Sequence, residues 1–145
     1  MKKFFLLLMI SSSLVSASIY TLDNVRSLNF YFSGNAGFIT KEKKVQIEKR
    51  ITQKLEKAGF IFGETDALIF VVKVDAIGVE ETQVVNIQIG LGEEVVTKRK
   101  DQIETYAYTY LDKKFIEAFD PYEDTLESLD LLVDEFIQAH KDDNE

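Results

Sequence analysis

Residues Ala67–Ile77, ALIFVVKVDAI, carry two charges in eleven positions and are otherwise aliphatic, aromatic or β-branched. A run of that length and composition fits a strand inside a sheet better than a helix. Side chains alternate across a strand, so its two faces are read separately. Leu68, Phe70, Val72 and Val74 make one face without a polar interruption. Ile69 and Val71 begin the other, which turns polar at Lys73 and Asp75. The first face belongs under a covering layer; the second tolerates water.

Upstream, Ser27–Ser33 alternates Leu28, Phe30 and Phe32 against Asn29 and Tyr31, a half-buried strand. The loop Ser33–Gly37 has two glycines in GxxG spacing without a following GK[ST], so it is a strand-to-helix connection and not a phosphate cradle. Thr40 is placed to cap a helix over Lys41–Ala58, where Ile47, Ile51, Leu55 and Ala58 form one stripe. Gly59 then suits the left-handed position after the helix, with Phe60 as its apolar contact. A helix between two strands predicts a right-handed parallel crossover. Downstream, Thr82–Thr97 sets Val85, Ile87, Ile89 and Leu91 against Asn86, Gln88 and Gly90, with a bulge or bend expected at Gly90–Gly92. Gln102–Leu111 follows as a fourth strand, with Thr105, Ala107 and Thr109 on one face and Tyr106, Tyr108 and Tyr110 on the other. Asp112–Asp124 reads as irregular. A last helix starts at an Asp124/Glu127 capping box, runs through Leu129, Leu132, Val133, Phe136 and Ile137, and ends before a frayed polar tail at Lys141–Glu145. The prediction is an α+β domain of order βαβββα: a four-stranded, mostly antiparallel sheet with two helices on one face, over residues 27–140.

The ends of the chain carry an address. Lys2 and Lys3, the apolar Phe4–Ile10 and the small-x-small Val15–Ala17 form a signal peptide, with cleavage expected after Ala17 and a lead-in over residues 18–26. The apolar run is shorter than the ~20 residues a membrane span needs. Cysteine is absent, which excludes a lipobox anchor, disulfides and thiolate metal ligands. Together these point to export into a bacterial periplasm without covalent lipid.

Charge is uneven. Residues 18–100 hold twelve Lys/Arg and eleven Asp/Glu, whereas residues 101–145 hold three and fourteen. An acidic chain does not bind nucleic acid or anionic lipid through a general field. The first helix is basic, with seven Lys/Arg against three glutamates, so facing helices would pair the basic first with the acidic last.

Few groups offer chemistry. His140 is the single histidine and is expected at the surface near a helix C-terminus, where a cation meets the helix dipole favourably. The carboxylates near Asp120–Asp124 lack EF-hand order and serve as turn and cap residues. No cofactor or metal is expected. The tyrosines are more informative. If Thr105, Ala107 and Thr109 face the helices, then Tyr106, Tyr108 and Tyr110 join Tyr31, Ile69, Val71, Lys73 and Asp75 on the uncovered face, and an aromatic open sheet favours protein contacts.

The run LEKAGF, followed by DALIFVVKV, long alternating strands and a closing amphipathic helix, resembles small βαβββα envelope domains. These include the lipopolysaccharide-transport lipoprotein of the outer-membrane translocon and the N-terminal domains of Tol- and curli-system proteins. The resemblance covers roughly residues 27–140 and implies a role with protein partners in envelope assembly; it carries over no functional residue. The chain departs from the lipoproteins among them in having no cysteine after its signal. The expectation is a non-enzymatic interaction module that engages an envelope protein or itself through the open sheet face or an edge strand. The alternatives are a carrier with an apolar pocket between helices and sheet, and a hydrolase with two converging carboxylates.

Overall fold

The computed structural model describes residues 20–79 and 81–145. The predicted signal peptide and its cleavage site lie outside the described residues. The chain runs β1 (Ser27–Ser33), α1 (Lys41–Lys57), β2 (Ile61–Phe62), β3 (Leu68–Val79), β4 (Thr82–Val96), β5 (Glu104–Ala118) and α2 (Pro121–Asn144). One sheet holds all five strands in the order β2-β1-β3-β4-β5. The two-helix α+β architecture stands as read from the sequence, with a fifth strand, β2, added. β2 is two residues long and pairs with β1 through Ser27–Ile61 and Leu28–Phe62; a strand that short has no period to detect.

β3 takes the central place. It is parallel to β1, with Phe30 beside Phe70, and antiparallel to β4, with Val74 beside Ile87. Its even face is core: Phe70, Val72 and Val74 are buried against Val85, Ile87, Ile89 and Leu91 of β4. Both helices lie on this face, α1 over β1 and β2, α2 over β4 and β5. The Thr40 side chain accepts the Lys43 N–H at 3.3 Å to start α1. At its end Gly59 has φ +102, and the Phe60 N–H donates to the Leu55 carbonyl at 3.1 Å. Ile47, Ile51 and Leu55 are fully buried and contribute about 2 kcal/mol each. Arg50 grips Asp130 of α2 through two hydrogen bonds, 3.1 and 2.5 Å, and Lys54 reaches Asp134 at 2.8 Å. The basic helix does lie against the acidic one.

Four expectations at the C-terminal end change. Asp112–Asp124 is not irregular, because β5 continues to Ala118 in register with Gln83. The cap of α2 is Asp120, whose carboxylate accepts the Glu123 N–H at 3.3 Å with Pro121 at the first helical position. Asp124 instead accepts the N–H groups of Phe119 and Asp120, at 2.8 and 3.0 Å. Lys141–Glu145 is no frayed tail: the Asp143 carboxylate accepts the Leu22 N–H at 2.7 Å, and Asn144 exchanges bonds with Leu22 and Asn24. His140 is not a free surface residue either. Its Nε2 lies 2.8 Å from the Val25 carbonyl and its ring 4.6 Å from that of Phe60. The end of α2 latches the N-terminal lead-in, Leu22 and Val25 included, to the core.

Candidate functional site

The face of the sheet away from the helices is uncovered among the described residues. β3 contributes Ile69, Val71, Lys73 and Asp75, and β1 sets Tyr31 beside Val71. β4 places Gly90 and Gly92 opposite Val71 and Ile69. A side chain at either glycine would fill space that β5 uses. The Tyr108 ring lies 2.7 Å from where a Gly90 Cβ would stand, and the Tyr106 ring 3.5 Å from the Gly92 position. Tyrosine laid over a strand glycine covers backbone that would otherwise be bare. Tyr106 and Tyr108 thus form one wall of a groove, Tyr31 the other, with Ile69, Val71 and Gly92 as the floor. The groove encloses about 340 Å³ and is lined almost wholly by apolar atoms. That is at the small end of ligand-sized cavities. Tyr31, Tyr106 and Tyr108 are 57%, 55% and 45% exposed, so their rings stand ready for contact.

Tyr110 does not join them. Between Leu91 and Gly92 the register shifts: Leu91 pairs with Tyr110 and Gly92 with Tyr108, leaving Thr109 as an extra residue in β5. A one-residue bulge reverses the faces of everything beyond it. Tyr110 is therefore turned inward and only 7% exposed, its ring 5.1 Å from that of Phe136 and 5.7 Å from that of Tyr20. Burial pushes its phenol up to about 12, with Asp112 and Glu135 adding to the shift. The irregularity was expected at Gly90–Gly92; its extra residue is on the facing strand.

Lys73 and Asp75 pair with each other, Nζ to Oδ2 at 3.0 Å, on the same face. Beyond them lies a second hollow that includes Ile77, Val84, Asn86 and Phe115. Phe115 and Val84 were missed in the sequence. The signal was present: Lys113, Phe115 and Glu117 alternate with Lys114, Ile116 and Ala118, a period of two that the charges around it obscured.

The layer between helices and sheet is filled by side chains, Phe70, Phe136, Ile87, Ile89 and Leu129 among them, each buried. Among the described residues no group of three or more His, Asp or Glu side chains could hold a metal ion. Asp112 and Glu135 are close enough that the Glu135 carboxyl is raised, first by desolvation and then by the Asp112 charge.

Fold and site define a two-layer α+β domain whose mixed sheet keeps one aromatic face open. Comparison of the chain with protein-family models, with curated proteins and with solved structures finds no match.

Proposed function

We propose that this chain is an exported, non-enzymatic interaction module of the bacterial cell envelope, and that it docks a protein partner on the open sheet face. The reading rests on one observation: an apolar groove walled by three half-exposed tyrosines lies across the sheet face that no helix covers among the described residues. Exposed apolar patches rimmed by polar groups mark contact surfaces, and tyrosine gives large contact area at low entropic cost. Lys73 and Asp75 form a polar rim that can orient a partner. The N-terminal pattern of Lys2, Lys3, Phe4–Ile10 and Val15–Ala17 supports the location. No nucleic acid, cofactor or covalent lipid enters the role.

The test is capture of partners from envelope extracts on the purified chain, with Tyr106→Ser/Tyr108→Ser in parallel. A protein retained by the native chain and lost by the variant, with folding unchanged, supports the reading. Equal retention by both refutes the groove as the docking site. Cell fractionation with N-terminal sequencing tests the location separately: a chain starting at Ser18 in the periplasm is expected.

A further inference from the structure

β5 ends the sheet, and among the described residues only β4 pairs with it. In an antiparallel ladder alternate residues aim N–H and C=O at one neighbour while the residues between aim them away. Lys113 marks the set that points outward, since its N–H donates to the Asp112 carboxylate at 2.7 Å. Lys113, Phe115 and Glu117 therefore present their backbone groups along the free edge. A long free edge is a template for another strand, and edge charges ordinarily oppose such pairing.

Here the charges are arranged about a centre. Lys113 and Glu117 stand two positions to either side of Phe115, opposite in sign and on the same face of the sheet. A second copy running antiparallel, with Phe115 opposite its own counterpart, sets each Lys113 against the Glu117 of the other copy. Outward-facing positions then meet outward-facing positions, which forms about four backbone hydrogen bonds, and about six where each Lys113 N–H exchanges the Asp112 carboxylate for the carbonyl of the other copy. The two Phe115 rings, each 61% exposed in the single chain, meet at the axis. Moving the axis one or two residues towards the N-terminus sets Lys114 or Lys113 against itself, and moving it two the other way sets Glu117 against itself; like charges directly opposite destabilise a ladder, and an axis on Ile116 loses both Lys113–Glu117 pairs. The remaining charges of the segment, Asp112 and Lys114, act on Glu135 of α2 within their own chain. The net charge of −8 opposes approach of two copies elsewhere, but this segment holds two of the three lysines after residue 100.

We propose that two copies of this chain join edge to edge through β5, in the register that centres on Phe115. The two five-stranded sheets become one continuous sheet, and the two tyrosine grooves lie on the same side of it. This goes beyond the docking role of the groove and does not depend on it.

The experiment is sedimentation velocity on the purified full chain over a micromolar-to-millimolar series, with circular dichroism to confirm that each variant is folded. A reversible dimer is expected. Lys113→Glu and Glu117→Lys should each weaken it by about ten- to thirtyfold. An equimolar mixture of the two variants should recover association, because each supplies the charge the other has lost. The chain has no cysteine, so Phe115→Cys introduces a unique thiol. Residues opposite each other in a hydrogen-bonded antiparallel pair have Cα atoms ~5.5 Å apart, within disulfide reach. Oxidation should link Phe115→Cys chains into covalent dimers and leave Tyr106→Cys chains single. A chain that stays monomeric across the series overturns the proposal. So does a dimer that Tyr108→Ser abolishes and Lys113→Glu leaves intact, which would move the contact to the open face. A mixture of the charge variants that fails to associate overturns the register.

Discussion

Tyr110→Ala and Tyr108→Ala, two residues apart in a run of alternating tyrosines, should differ sharply in cost. Tyr110 is 7% exposed and packs edge-on against Phe136, with ring centroids 5.1 Å apart and planes at 79°. Truncating a buried aromatic costs ~3–5 kcal/mol, and loss of ring-edge contacts is part of that. The lower end applies here because the vacated space abuts Tyr20 at the rim of the core, which can settle into it. About 3 kcal/mol is a large share of the stability of a domain this size. Tyr108 is 45% exposed, with its ring laid over Gly90, so its loss should cost on the order of 1 kcal/mol. Urea unfolding read by far-UV circular dichroism measures both. With a slope near 1.5 kcal/mol per molar, the Tyr110 variant should show a midpoint lower by about 2 M, and the Tyr108 variant by under 1 M. If Thr109 were not an extra residue, the two tyrosines would share a face and the variants would cost alike. A Tyr110 loss no greater than the Tyr108 loss refutes the bulge.

Tyr110 also makes stability fall in alkali. Its phenol is raised from an ordinary value of 10 to about 12, so the stabilisation is complete below pH 10 and is lost as the pH rises towards 12; Tyr110→Phe should flatten that decline in a pH series of unfolding midpoints. Gly90→Ala should lift the Tyr108 ring off β4, since ring carbons lie 2.7 and 2.8 Å from the new methyl; partner retention should drop while the urea midpoint falls by only about 1 kcal/mol equivalent. Deleting residues 141–145 removes the Asp143 and Asn144 bonds to the lead-in, so amide exchange at Leu22 and Asn24 should accelerate with little change in β3. Arg50→Met should cost about 0.5–1 kcal/mol near neutral pH. The Asp130 carboxyl is held below its ordinary 3.8 chiefly by its hydrogen bond to Arg50, so that stabilisation is present above pH 3.8 and disappears as the carboxylate protonates at lower pH; the variant and native chains should converge in acid.

The sequence alone determined the identity of the main elements and the faces of most of them. β3 could be split into a core face and a wet face because burial on one side writes a period of two into the residues themselves. The boundaries of α1 followed from Thr40, Gly59 and Phe60, all local signals whose partners lie within five residues. The pairing of a basic helix with an acidic one followed from charge counting. What the tertiary structure decided is register and long-range closure. The alternation of Tyr106, Tyr108 and Tyr110 is unchanged whether or not Thr109 is an extra residue, and only the opposing Leu91 and Gly92 decide it. β2 exists because β1 lies beside it. The polar residues that read as a loose tail are fixed by partners near the other end of the chain, as with His140 and Val25, 115 positions apart. A local pattern records which side of an element is buried. It does not record what the element is buried against, and that distinction placed two tyrosines in the groove and the third in the core.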